Sequence, residues 1–210
     1  MAKARARSAS RSTASRSRSA RVNRATKETD VTVELSLDGR GRADVNTGIP
    51  FLDHMLESLA RHGFVDLKVR ATGDLDVDQH HTVEDVGLTL GQALRAALGD
   101  KAGIRRFGDA ACPLDEALVN CVIDLGGRPY LAYNLKIKQA RVGSFDTELV
   151  HDFFLALTNQ AGMNVHLNLV QGRNAHHIIE AAFKAFARAL DEARQRDPRV
   201  EGVPSTKGAL

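Results

Sequence analysis

Two stretches of this chain carry one pattern: His80-His81-Thr82-Val83-Glu84 and His176-His177-Ile178-Ile179-Glu180, with a constant offset of 96 positions. Ala93-Leu94 meets Ala189-Leu190 at the same offset. Each motif opens a run with apolar residues at helical spacing, such as Val83, Val86, Leu90 and Leu94 in the first. A strand-like run and, before it, a helical run precede each motif. One His-His-x-x-Glu is a weak signal, but two at matched places point to a duplicated unit.

The surrounding pattern fills in that unit. Residues 29–37 alternate with period two, which predicts a half-buried strand, and Asp38-Gly39 supplies a turn. Residues 42–45 can return antiparallel. A helix is predicted over 50–61, then a strand through Val65, Leu67 and Val69, then a helix over 80–98 with Gly99 near its end. Residues 119–125 and 130–137 read as strands joined through Gly126-Gly127. Helices over 146–159 and 175–194 flank a strand over 165–170. This order predicts an α+β layered fold with helices on one face of each sheet.

The motif spacing suits a metal ion. Residues i and i+4 share a helical face, as do i+1 and i+4, so His80 or His81 can chelate together with Glu84. Adjacent histidines diverge by about 100° around the axis and are poorly placed for one ion. Two such pairs therefore suggest two metals, shared between repeats or between subunits. Imidazole and carboxylate without thiolate suit manganese, iron(II) or zinc better than copper(I) or a cluster. A single histidine of this kind is as readily a hydrogen-bonded core residue; the doubling favours ligands.

Charge and cysteine content bound the function class. The chain has 210 residues and a formal net charge of +3, but nine of its 29 Lys+Arg lie in residues 1–27, which hold no acid. The remainder has 20 bases against 26 acids. An acidic body with a basic arm argues against a nucleic-acid-binding fold. Residues 1–24, rich in Arg, Ser and Ala, read as a disordered arm. A solvated leader, a transit peptide and a nucleic-acid contact all fit its composition. No apolar run is long enough to span a bilayer. Two cysteines, Cys112 and Cys121, exclude a disulfide scaffold and suggest a reducing compartment, the cytoplasm, or a plastid if the arm is a transit peptide.

Several motifs occurring in order carry a resemblance. Gly48-Ile-Pro-Phe-Leu-Asp-His-Met-Leu56, Asp78-Gln-His-His-Thr-Val-Glu-Asp85, Asn174-Ala-His-His-Ile-Ile-Glu180 and Pro204-Ser-Thr-Lys-Gly-Ala-Leu210 resemble the imidazoleglycerol-phosphate dehydratase family of histidine biosynthesis. The likeness spans residues 22–210. It implies two similar halves, each a four-stranded sheet with two helices on one face. It divides the chain into an arm (1–24), two halves (25–108 and 109–200) and a phosphate-binding tail (201–210). It also implies trimers assembled into a 24-subunit shell, active sites between subunits, and two Mn²⁺ per site.

The metal ligands implied are His54, His80, His81, Glu84, His176, His177 and Glu180. A further family ligand, a His before Phe-Phe, falls on Asp152 here, with His151 one residue early as the alternative. Implied phosphate binders are Arg106, Arg128, Lys184, Ser205, Thr206 and Lys207. Arg offers forked donors to phosphate and Lys a point charge. Glu28, Glu84 and Glu180 are the implied proton-handling carboxylates, with Glu28 also touching substrate. His62 and His166 match no metal position and read as structural or surface residues.

The reaction implied removes water from D-erythro-imidazole glycerol phosphate to give imidazole acetol phosphate. The proton lost lies beside an imidazole with no carbonyl to stabilise a carbanion. A metal-templated elimination through an imidazolate and a diazafulvene-like intermediate answers that difficulty. Two rivals remain on the sequence: a two-metal hydrolase using the same ligand types, and a metal-storage or nucleic-acid-associated shell.

Overall fold

The computed structural model describes residues 18–210, and the expected arm over residues 1–17 lies outside them. Two units follow one order. The first runs β1 (Ser19–Ala25), β2 (Thr29–Ser36), β3 (Ala43–Asn46), α1 (Pro50–Gly63), β4 (Asp66–Gly73) and α2 (His80–Leu98). The second runs β5 (Phe107–Leu114), β6 (Ala117–Asp124), β7 (Tyr130–Asn134), a small hairpin β8 (Arg141–Val142) and β9 (Phe145–Asp146), α3 (Leu149–Ala161), β10 (Asn164–Gln171) and α4 (Ala175–Arg194).

The sheets have matching strand orders, β1-β2-β4-β3 and β5-β6-β10-β7. In each, the last pair is parallel (β3 with β4, β7 with β10) and the rest antiparallel. A helix lies between the two parallel strands in sequence, as a parallel crossover requires. Along β2, Val31, Val33 and Leu35 turn inward and Asp30 outward, so one face of the sheet is apolar. Helix α2 covers β1 and β2, and α4 covers β5 and β6. The halves meet through helices, α2 on α3 and α1 on α4. Phe153, Phe154, Phe183 and Phe186 pack ring on ring between α3 and α4, with the Phe154 and Phe183 centroids 4.9 Å apart.

The α+β class and the two four-stranded sheets agree with the sequence expectation; four details differ. Residues 19–24, assigned to the arm, form most of β1, so the first unit begins earlier. The strand is held by its ladder to β2 and by Arg24, which pairs with buried Asp85. Residues 43–46 do not return antiparallel to β2; they run parallel to β4. Strand β5 was not anticipated and straddles the expected 108/109 junction. Its buried Gly108 and Cys112 give a weak apolar alternation, and a Cβ at Gly108 would collide with the Ala189 carbonyl on α4. Helix α3 starts at Leu149 because Phe145-Asp146 is taken up by the small hairpin.

Asp66 pins the loop before β3. Its carboxylate accepts from the Arg40 and Arg42 backbone N–H at 2.8 and 3.1 Å and from the Arg42 guanidinium at 2.7 Å. The Arg42 side chain first, and then the Arg40 N–H, hold this carboxyl far below the usual carboxylate range. A carboxyl with a depressed folded-state pKa stabilises above its unfolded value, about 3.9, and loses that contribution as the pH falls through the folded value. Asp66→Asn should therefore lower the urea midpoint at neutral pH. The gap to the parent protein should close progressively below about pH 4. A gap that stays constant down to acid pH would show that Asp66 acts through shape alone.

Candidate metal centre

Both His-His pairs begin a helix, and in both an Asx residue two positions ahead fixes the first turn. Asp78 accepts from the His80 backbone N–H at 2.7 Å, and Asn174 accepts from the His176 and His177 N–H at 2.9 and 3.4 Å. The rings within each pair stand nearly perpendicular, at 83° for His80–His81 and 82° for His176–His177.

The tightest group joins α1 to α4. Glu180 Oε2 lies 3.3 Å from His54 Nε2 and 3.1 Å from His176 Nε2, while Glu180 Oε1 takes Lys184 Nζ at 2.6 Å. One donor atom from each of His54, His176 and Glu180 lies within 4.8 Å of the others, spacing that fits a single metal ion. Burial opposes ionisation of Glu180, but Lys184, then His176 and His54, hold its carboxyl down at about 2. At neutral pH it is an anion ready to ligate. A concavity of about 690 Å³ opens beside His54, Glu57, Arg61, His62, Glu180 and Lys184.

The counterpart group joins α2 to α3. His80 Nδ1 lies 3.5 Å from Asp152 Oδ2, and His151 Nδ1 lies 3.1 Å from Asp152 Oδ1. Each helix ends in a left-handed residue, Phe64 after α1 and Gly162 after α3. His54 and Asp152 stand equally far ahead of those residues, so Asp152, not His151, occupies the position matching His54. His151 instead sets its ring edge-on to Tyr133 at 5.2 Å. Glu84 holds on α2 the place of Glu180 on α4 and is partly buried.

The second histidine of each pair joins neither group. His81 Nδ1 meets Asp74 Oδ2 at 2.9 Å, with Glu28 Oε2 at 3.9 Å. The bond to Asp74 raises the His81 pKa. His177 Nδ1 meets Glu116 Oε2 at 2.7 Å. Asp74 and Glu116 belong to no motif in the sequence; only the folded chain brings them to the histidines.

Of the phosphate candidates, Arg106, Arg128 and the Ser205–Lys207 segment gather at the other end of the second sheet, and Lys184 does not. Arg106, in the left-handed region at φ 72°, is gripped by Asp124 through Nε and Nη2 at 2.6 and 3.0 Å. Its Nη1 donates to the Pro204 carbonyl at 2.9 Å, drawing the C-terminal segment in. Ser205 anchors a turn there, its Oγ accepting from the Lys207 N–H at 3.2 Å and its carbonyl from the Gly208 N–H at 3.0 Å. Thr206 and Lys207 are exposed, and the Leu210 end lies against Gly127, next to Arg128. Lys184 is held on Glu180, apart from the Arg106–Pro204 contact. His62 is half-buried, its pKa lowered by burial and then by Lys184 and Arg188. His166 is exposed on β10 beside Tyr130.

The family model for imidazoleglycerol-phosphate dehydratase matches residues 47–190. The chain is 55% identical over 191 residues to the imidazoleglycerol-phosphate dehydratase of Geobacter metallireducens, covering 91% of this chain and 98% of that protein. It is 58% identical over 190 residues to a chloroplastic imidazoleglycerol-phosphate dehydratase of Arabidopsis thaliana, covering 90% of this chain and 70% of that one. The crystal structure of imidazoleglycerol-phosphate dehydratase from Staphylococcus aureus superposes with a TM-score of 0.77 at 39% identity, covering 84% of this chain and 98% of that chain.

Proposed function

The chain belongs to the imidazoleglycerol-phosphate dehydratase family, a dehydratase of histidine biosynthesis, and from that premise we propose how its own residues carry the reaction. The substrate is D-erythro-imidazole glycerol phosphate and the product imidazole acetol phosphate. A C–H and a neighbouring C–O bond break, water leaves, and the resulting enol becomes the ketone. The observation that carries the reading is the convergence of His54, His176 and Glu180 from two helices onto one point.

Two Mn²⁺ ions are the cofactors in this reading, held by His54, His80, His81, Glu84, Asp152, His176, His177 and Glu180. The donor set is imidazole and carboxylate throughout, which suits that ion. Bound there, the cation supplies charge that favours the deprotonated form of an imidazole ring. Glu28 and Glu180 handle protons, with Glu84 as ligand and participant. Glu28 comes from the β1–β2 turn and is 57% exposed, which leaves it free to reach a substrate. Arg106, Arg128, Lys184, Ser205, Thr206 and Lys207 hold the phosphate. The Asp124 grip fixes the plane of the Arg106 guanidinium while leaving an N–H on each terminal nitrogen for phosphate oxygens.

Within one chain, His81 and His177 stand apart from the three-donor group. Assembly into trimers and a 24-subunit shell, with sites between subunits, gives them donors from a neighbouring copy. The two halves are the repeated units of the chain, with residues 201–210 as the phosphate-binding tail. Among the described residues no helix is long and apolar enough to cross a membrane. Buried, unpaired Cys112 and Cys121 fit a reducing compartment, and we place the enzyme in the cytoplasm.

Product analysis tests the reading. Incubation with imidazole glycerol phosphate and Mn²⁺ should yield a ketone that keeps its phosphate. Release of inorganic phosphate without ketone would replace the elimination with hydrolysis.

A further inference from the structure

We propose that Glu116, and in the other half Asp74, are positioning residues that fix the ring tautomer of His177 and His81, so that Nε2 of each ring is the unprotonated, metal-binding nitrogen. This inference rests on the reading of His177 and His81 as ligands.

The two halves reach the same result by unrelated parts of the fold. Asp74 follows directly on β4 and meets His81 Nδ1 at 2.9 Å. Glu116 sits in the two-residue turn between β5 and β6, where Leu114 faces Ala117, and meets His177 Nδ1 at 2.7 Å. A carboxylate accepts but cannot donate, so the ring nitrogen facing it must carry the proton. In a neutral ring the lone pair then lies on Nε2, the nitrogen left for a metal.

Glu116 is held firmly enough to enforce this. Its Oε1 accepts from the Asn174 and Arg173 backbone N–H at 2.8 and 3.2 Å, which leaves Oε2 for the ring. Asp115 ahead of it adopts a left-handed φ of 47°, and its own carboxylate stands 3.8 Å from His177 Nε2, beyond hydrogen-bond reach, so only Nδ1 is bonded to a carboxylate.

This bonding pattern makes Glu116→Gln a sharper test than Glu116→Ala. In the glutamine the amide oxygen must stay on the two backbone N–H groups, so the NH₂ faces His177 Nδ1. An NH₂ donates, and the proton of the ring moves to Nε2. The turn is preserved while the tautomer is inverted. The first measurement is the ¹⁵N spectrum of histidine-labelled, metal-free protein at about pH 8, where a histidine ring is ordinarily neutral, with His177 assigned by its loss in His177→Gln. The parent protein should show a protonated Nδ1 at His177, and Glu116→Gln a protonated Nε2. The second is Mn²⁺ titration against a competing chelator. Glu116→Gln should bind at least about tenfold more weakly than the parent, with an unchanged thermal midpoint in the metal-free state. An Nδ1 proton retained in the Gln variant, or parent-like Mn²⁺ affinity, overturns the assignment to Glu116. A parent protein that shows the Nδ1 tautomer yet takes up no Mn²⁺ overturns the ligand reading and leaves the tautomer result standing.

Discussion

Replacing Glu180 by Ala is expected to lower turnover on imidazole glycerol phosphate about 10³-fold, within the range for losing a positioned proton-transfer group. Three positively charged or chelating partners converge on this one carboxylate: Lys184 on Oε1, His54 and His176 on Oε2. Among the described residues, Glu180 is the one carboxylate of the three-donor group. Its removal takes away an anionic ligand and leaves Lys184 beside the two rings, where its charge repels a cation. Mn²⁺ affinity should therefore fall together with turnover. The fold should survive, because Glu180 lines a concavity and is no part of the phenylalanine cluster. Chelation of the parent protein should produce the same silence reversibly, with activity returning on Mn²⁺. Parent-like turnover in Glu180→Ala, or full activity in metal-free protein, would remove the metal from the chemistry altogether.

Helices α2 and α4 were legible because their apolar residues recur at helical spacing and their histidines recur at a fixed offset. That periodicity is local, and so is its reading. Strand β1 was not legible, since its apolar side consists of only Ala20 and Val22 among Arg, Ser and Asn. What fixes it is distant: its ladder to β2, Arg24 on Asp85, and Arg18 on Asp38. Strand β5 carries glycine where an apolar residue would announce a strand, because α4 approaches too closely there for a side chain. The same limit applies to the site. His-His-x-x-Glu advertises itself by spacing, whereas Asp74 and Glu116 meet their histidines only after β4 and the β5–β6 turn are in place. The end of α3, which the sequence pattern left two residues early, is what sets Asp152 level with His54 in the fold.

Gly91→Leu is expected to cost about 3 kcal/mol or more in unfolding free energy, at the upper end for overpacking a closed interface. Glycine in a helix interior is itself unfavourable by about 1 kcal/mol relative to alanine. Two of them one turn apart in α2 therefore call for a packing reason, and α3 supplies it. A Cβ on Gly91 would sit 2.6 Å from the Leu157 carbonyl oxygen and 2.8 Å from Gln160 Cβ; one on Gly87 would sit 2.7 Å from the Phe153 carbonyl oxygen. The two carbonyl contacts are backbone, which cannot turn aside as a side-chain end can. Any larger residue must push α3 away from α2. The displacement reaches the site, since His80 and Asp152 face each other across this interface at 3.5 Å. Gly91→Ala, which gains helix propensity while keeping the clash, should lose less than the leucine variant. Urea unfolding of both variants with and without Mn²⁺ measures the two effects together: a lower midpoint without metal, and a smaller upward shift on adding it. A leucine variant as stable as the parent would mean that the two halves can separate without cost, and that the close approach of α2 and α3 does not set the spacing of His80 and Asp152.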